Sequence, residues 1–219
     1  MIKIRQASAA PIGADLVERW RNVPVAIIAD VSNGTCQIDP QIRPLCPAGR
    51  QPRLFGRAVT ALCAPPDFGA VLRALDLVKK GDVLVIAAQG NRQHAMIGEI
   101  LGGHLRRLEA AGLICDGSIR DVAELASWKD LSCYSRFITP RGPTGAALGE
   151  VNVAVIVGGL DVSPGDLIFG DDDGLAALSS MKARSLIVDA EAKMALEVKW
   201  QKKLASGKNI AETFGLTSP

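Results

Sequence analysis

The sequence predicts a mixed α/β protein, and three observations predict it. Hydrophobic residues make up 48% of the 219-residue chain, ample for a substantial buried core. Aromatic residues are only 4%, with Ala, Val, Leu, Ile and Gly dominant, which suits strands covered by helices better than a platform for stacking bases. Helical periodicity alternates with short apolar runs in the first half, and the second half is rich in short strands separated by Gly, Pro and Asp turns. No composition break suggests a linker, so a single domain over residues 1–219 is expected.

Taken in order, residues 14–21 fit a short amphipathic helix, and residues 23–31 form an apolar run ending at a Ser-Asn-Gly turn. Residues 38–52 are Pro-rich and read as loop, because Pro removes donors and restricts its predecessors. Residues 55–63 read as a strand. Residues 68–79 carry Val71, Leu72, Leu75 and Val78 at helical spacing, and a Lys-Lys-Gly-Asp turn leads into an apolar strand at 83–88. A helix is expected at 95–111, with Ile97, Ile100, Leu101, Leu105 and Leu108 on one face and Gly112 as its stop. A brief buried strand at 113–115 then runs into a polar turn, and residues 121–128 form another short helix. Strands follow at 133–138, 151–157, 166–170 and 174–179. A long Ala-, Lys- and Glu-rich helix at 181–206 ends at Gly207.

Lys and Arg number 25 against 23 Asp and Glu, a formal charge of +2, so no basic face announces nucleic acid. No apolar stretch approaches the roughly 20 residues of a membrane span. The opening residues lack a signal-peptide-like apolar run. Five scattered cysteines without a CxxC pair argue against a disulfide framework or a structural zinc site. A cytoplasmic protein without membrane or nucleic-acid partners is expected.

The chemistry concentrates in MIGEILGGH (96–104) and LICDGSIRD (113–121). A glycine-bearing helix start carries Glu99, and an apolar strand runs into Asp116, Arg120 and Asp121; ligands of α/β sheets gather where strands end and helices begin. The Arg120 guanidinium offers a planar fork for a carboxylate or enolate oxygen. The Asp121 carboxylate is a hard oxygen ligand suited to Mg²⁺ or Mn²⁺. Backbone N–H groups of Ile100 and Leu101 can add anion contacts. The same Arg-Asp pair also reads as a salt bridge with an N-cap.

Other conspicuous residues read as structural. His104, five residues beyond Glu99, fits a solvated or helix-packing role, and His94 precedes the helix. Asp171-Asp172-Asp173-Gly174 lacks the alternation of a calcium loop and fits a turn between strands. Cys115 reads as a core residue, Arg141 as a solvated residue of the PRGPTG loop, and the charges of 181–203 as a solvated helix face.

The string GEILGGHLRRLEAAGLICDGSIRDVAEL resembles the signature of 4-hydroxy-4-methyl-2-oxoglutarate aldolases and the related RraA-like proteins (regulators of ribonuclease activity). FGRAVTA, KKGDVLVI, FITPRGPTG, VNVAVIVGGLDVSPGDLIFGDDDGLAAL and KMALEVKWQKKLASG extend the resemblance over residues 23–216. It implies a β/β/α swivelling-domain-like core at about residues 23–180, flanked by N- and C-terminal helices and assembled as a homotrimer or homohexamer.

It further implies that Arg120 binds the pyruvyl carboxylate and carbonyl, that Asp121 ligates Mg²⁺ or Mn²⁺, and that Gly98, Ile100 and Leu101 contact substrate. Glu99 falls where the aldolases carry an acidic residue, commonly Asp. Glu197, ten residues before Gly207, matches a helix carboxylate that reaches the neighbouring subunit's site. The activity implied is cleavage of a 4-hydroxy-2-oxo acid to pyruvate, with oxaloacetate decarboxylation through the same enolate. The alternative is a non-catalytic protein that binds and regulates a ribonuclease; such members tend to lack an acid after the glycine, and Glu99 favours the enzyme. Methyl transfer to a quinone, a label such sequences sometimes carry, finds no Gly-rich cofactor loop here.

Overall fold

The computed structural model describes residues 1–6 and 12–216. The chain begins with β1 (Lys3–Ile4), α1 (Ala14–Trp20), α2 (Val25–Val31), β2 (Arg43–Pro44), β3 (Leu54–Leu62), α3 (Gly69–Leu75) and β4 (Asp82–Ala95). It continues with α4 (Glu99–Arg107), β5 (Gly112–Ile119), α5 (Val122–Leu125), β6 (Ser132–Ile138), β7 (Glu150–Val151), β8 (Val155–Val157) and β9 (Leu160–Val162). Last come β10 (Leu167–Gly170), β11 (Leu175–Leu178), α6 (Ser180–Ala205) and α7 (Ile210–Phe214).

β3, β4, β5 and β6 lie side by side in chain order and all parallel, with Val59 opposite Leu84, Val85 opposite Ile114, and Ile114 opposite Tyr134. Parallel neighbours need crossovers, and crossovers of one hand put α3, α4 and α5 on one face. β7 continues the sheet beyond one end of β3, the β10–β11 hairpin pairs with the other end, and β2 extends the far edge antiparallel to β6.

Side-chain alternation divides the core between the layers. Along β4, Leu84, Ile86 and Ala88 face α3 and α4, while Val83, Val85 and Ala87 face the layer that holds β8 and β9. Along the hairpin, Leu167, Phe169, Ala176 and Leu178 turn to α1, α2 and α6, and Ile168, Leu175 and Ala177 turn inward. Two apolar faces per central strand explain why 83–88 shows no polar position.

Several elements differ from the sequence reading. The apolar run at 23–31, to which the sequence assigned no element, is helical from Val25: Pro24 supplies the N-cap, the Asp171 carboxylate accepts from the Val25 N–H at 3.0 Å, and the helix packs on α6. β4 extends through two register shifts to Ala95, so α4 begins at Glu99. Gly112 is not a helix stop but a packing glycine at the head of β5, where a Cβ would lie 2.6 Å from Leu54 Cδ1 and collide with the Ser132 carbonyl. Asp116 to Ile119, read as a turn, continue β5. The run at 151–157 breaks at Asn152, whose φ of 56° ends β7 before β8 begins.

The Asp-rich segment is the turn between β10 and β11, and two of its carboxylates accept from the N–H groups of Val25 and Gly49. Among the described residues no helix is long and apolar enough to cross a membrane.

All five cysteines are buried and free. Burial pushes the Cys63 and Cys133 thiols up to about 12 and the Cys115 thiol well above its usual value, away from the thiolate needed for reaction. At pH 8, a thiol reagent such as Ellman's should react within minutes with none of the five in the native protein and with all five after denaturation. Rapid native labelling of Cys63, Cys115 or Cys133 would contradict this packing.

Candidate active site

Segments leaving the C-terminal ends of β3, β4, β5 and β6 meet at one end of the sheet and enclose a cavity of about 360 Å³. Phe68 and Leu72 come from the head of α3, and Gly98, Ile100 and Leu101 from the head of α4. Arg120 and Asp121 follow β5, and Gly142 and Pro143 follow β6. Buried Ala95, Met96 and Ile97 form the inner wall.

Backbone pairing fixes these pieces. The Met96 N–H donates to the Ser118 carbonyl at 2.9 Å, and the Arg120 N–H donates to the Ile97 carbonyl at 3.1 Å. The chain then turns at Asp121, whose φ of 56° and ψ of 38° are left-handed. Asp tolerates this region better than most residues. The turn sends its carboxylate away from α5, which it does not cap, and towards the head of α4, where Oδ2 accepts from the Glu99 N–H at 3.0 Å. The N-cap reading of this residue is therefore replaced by a tie between β5 and α4. Arg120 Nε lies 3.5 Å from the same oxygen, with both side chains 41% exposed, so the pair is solvated and open to a ligand.

Gly98 is what permits this approach. A Cβ there would collide with the Asp121 carboxylate and lie 2.8 Å from Arg120 Cγ. Across the cavity, a Cβ on Gly142 would lie 2.8 Å from Arg120 Nη1. The first N–H groups of a helix have no intrahelical acceptor. Glu99 spends its own on Asp121, and those of Ile100 and Leu101 stand at the positive end of α4 beside the cavity.

The structure thus gathers Gly98, Ile100, Leu101, Arg120 and Asp121 around one cavity. Glu99 opens α4 with an exposed side chain that does not line it. Glu197 lies on α6, which packs on α1, α2, α7 and β11, and it does not line this cavity within one chain. Asp116 is drawn away by strand alternation: it shares the face of Ile114 and pairs with Arg136 Nε at 2.6 Å and the Gly158 N–H at 2.7 Å. His94 is buried in β4, and His104 and Arg141 do not line the cavity. Among the described residues no three His, Cys, Asp or Glu side chains converge as a metal cage.

The sequence reading placed Phe68 and Leu72 in a helix by apolar spacing and took PRGPTG as a turn with a solvated Arg141; Phe68, Leu72, Gly142 and Pro143 instead wall the site. The loop's anchor is Asp67, buried, with its carboxylate accepting from Gly69 at 2.8 Å, Ala147 at 2.9 Å and Leu148 at 3.0 Å. The Thr144 N–H donates to Pro66, the Phe68 N–H to Gly145, and the Ala95 N–H to Arg141, so α3, the loop and β4 are stitched together. The two Pro and two Gly of PRGPTG were the available signal.

A family model described as RraA-like, Aldolase/RraA, matches residues 15–176. The chain belongs to the aldolase/RraA-like family. It is 32% identical over 182 residues, 83% of this chain and 84% of the relative, to a Halalkalibacterium halodurans protein provisionally named a 4-hydroxy-4-methyl-2-oxoglutarate aldolase. An uncharacterized Pseudomonas syringae protein shares the fold with a TM-score of 0.81 at 21% identity, over 93% of this chain and 98% of that one. Streptomyces coelicolor RraAS2, described as an unusual member of an RNase ES inhibitor family, shares it with a TM-score of 0.75 at 23% identity, over 89% of this chain and 100% of that one.

Replacing Gly98 by Ala should displace the Arg120 and Asp121 side chains, visible in a crystal structure, at a cost of about 1 kcal/mol or less because both can rotate away. A loss of several kcal/mol would show that the backbone had to move instead.

Burial opposes ionisation of Asp67, but its three backbone donors outweigh it and hold the carboxyl below its usual value. Its stabilisation is then full above the unfolded value of about 4 and is lost as pH falls through the folded value. Asp67→Asn should cost about 1–3 kcal/mol at pH 7 by denaturant unfolding, and the gap to wild type should shrink at pH 3. A gap independent of pH would refute the charge-assisted anchor.

Proposed function

We propose that this aldolase/RraA-like protein is a cytoplasmic, divalent-metal-dependent class II pyruvate aldolase that cleaves 4-hydroxy-2-oxo acids, 4-hydroxy-4-methyl-2-oxoglutarate among them, and also decarboxylates oxaloacetate. The observation that carries the reading is the Arg120–Asp121 pair, held at the cavity beside the open N–H groups of Ile100 and Leu101.

The donor set fits a hydrated Mg²⁺ or Mn²⁺. Asp121 offers a half-exposed carboxylate to a hard ion that keeps several waters, whereas a tetrahedral zinc cage would need more converging ligands. When bound, the ion supplies Lewis acidity to the 2-oxo group. Arg120 pairs with the pyruvyl carboxylate and 2-oxo oxygen, and its hold strengthens as charge collects on that oxygen. The N–H groups of Ile100 and Leu101 orient the carboxylate.

As the C3–C4 bond breaks, its electron pair passes into the pyruvate enolate, the C4 hydroxyl proton leaves to a base, and the C4 fragment departs as a carbonyl compound. Protonation of the enolate at C3 gives pyruvate. Glu99, at the mouth of the site, positions the water that relays the hydroxyl proton. Glu197 lies on the long α6 helix and serves a neighbouring subunit's site in a homotrimer or homohexamer.

Pyruvate release from oxaloacetate and from 4-hydroxy-4-methyl-2-oxoglutarate, with Mg²⁺ or Mn²⁺ and then with EDTA, tests the reading. Release should stop with EDTA, fall about 10²–10³-fold in Arg120→Ala, and fall about 10²-fold in Glu99→Ala. No release from either substrate, together with no exchange of the pyruvate C3 hydrogens in D₂O, by the folded, metal-supplied protein would reject the enzyme and favour the regulator reading.

A further inference from the structure

We propose that the half of the cavity facing the C4 end of the substrate selects an uncharged, apolar substituent. The preferred substrates are then 4-hydroxy-2-oxo acids that release an aliphatic or aromatic aldehyde with pyruvate, not a second oxo acid. The proposal rests on the aldolase reading and refines it.

Among the described residues of one chain the charges lining the cavity are those of Arg120 and Asp121, and the Glu197 that a neighbouring subunit is proposed to add is an anion, not a cation. Both serve the pyruvyl end, the first as the carboxylate and enolate partner and the second as the metal ligand. Beyond them the wall is apolar. Phe68 and Leu72 stand one helical turn apart at the head of α3, where the Leu72 N–H donates to the Phe68 carbonyl, and Pro143 faces in from the loop. Ile100 and Leu101 come from the head of α4; Ile100 is 77% exposed, an apolar side chain at a mouth where a cation would be needed to receive a second carboxylate.

Asp67 does not supply polarity here, because three backbone N–H groups occupy its carboxylate. The same anchor holds α3 and the loop, so the apolar wall is prebuilt. A carboxylate on C4 would lose its hydration against Phe68, Leu72 and Pro143, where no cationic side chain among the described residues lines the wall to receive it. A methyl, ethyl or phenyl group would bury apolar surface on the same wall.

The reaction balances for all three acids. 4-Hydroxy-2-oxohexanoate gives pyruvate and propanal, 4-hydroxy-4-phenyl-2-oxobutanoate gives pyruvate and benzaldehyde, and 4-hydroxy-4-methyl-2-oxoglutarate gives two pyruvates.

The test compares kcat/KM for pyruvate formation from these three acids with Mg²⁺ present. Beside it, exchange of the pyruvate C3 hydrogens in D₂O reports enolate formation without any acceptor. The neutral acids are expected to exceed the dicarboxylate by about tenfold or more. Leu72→Arg, compared with wild type relative to each protein's own exchange rate, should move the ratio about tenfold towards the dicarboxylate. Exchange accompanied by equal or faster cleavage of the dicarboxylate overturns the proposal while leaving the aldolase intact. Absence of C3 exchange overturns the aldolase reading, and the proposal falls with it.

Discussion

The hydrogen bond from the Glu99 N–H to the Asp121 carboxylate joins the head of α4 to the end of β5, and the geometry of the site depends on it. It requires a left-handed residue with a carboxylate at 121 and no side chain at 98. With both in place, Arg120 is directed along the cavity, the N–H groups of Ile100 and Leu101 remain open, and one face of Asp121 stays in solvent. A helix start, a strand end and a charged pair are thus locked into one unit by a contact between backbone and side chain.

The rest of the fold holds that unit in register. Parallel strands β3 to β6 deliver their C-terminal ends to the same side, and apolar residues on both strand faces leave little freedom to slip. On the face away from α4, the Arg136 guanidinium bridges Asp116 and Asp39, tying β5, β6 and the segment before β2 together. Breaking such a buried pair leaves an uncompensated charge, so Asp116 matters to the site by supporting β5 and not by touching a ligand. Asp67 does the corresponding work for the opposite wall, through backbone donors instead of a cation.

Much of this was legible in the chain. The strand at 83–88 was readable from its unbroken apolar run, the helix expected at 68–79 from its apolar spacing, although it ends at Leu75, and the long helix at 181–206 from its Ala-, Lys- and Glu-rich composition, of which Ala183, Ile187 and Ala190 are the buried face. The cluster Gly98, Ile100, Leu101, Arg120 and Asp121 was readable from its motif, and the cavity unites those residues. The region 95–121 was misread at its boundaries because bulges in β4 and the pairing of Asp116 to Ile119 are tertiary matters that local propensity does not encode. Phe68, Leu72 and Pro143 escaped notice as site residues because apolar residues give the same signal whether they fill a core or face a ligand. Glu197 does not line the cavity within one chain, and the role proposed for it depends on assembly.

In the proposed reaction Arg120 and an ion on Asp121 together hold a planar enolate-like dianion. Calorimetric titration with oxalate, an analogue of the pyruvate enolate, measures this without turnover. Mg²⁺-dependent binding to the wild-type protein is expected, weakened about 100-fold, or about 2.7 kcal/mol, in Arg120→Ala. Oxalate binding that ignores both Mg²⁺ and the loss of Arg120 would contradict it.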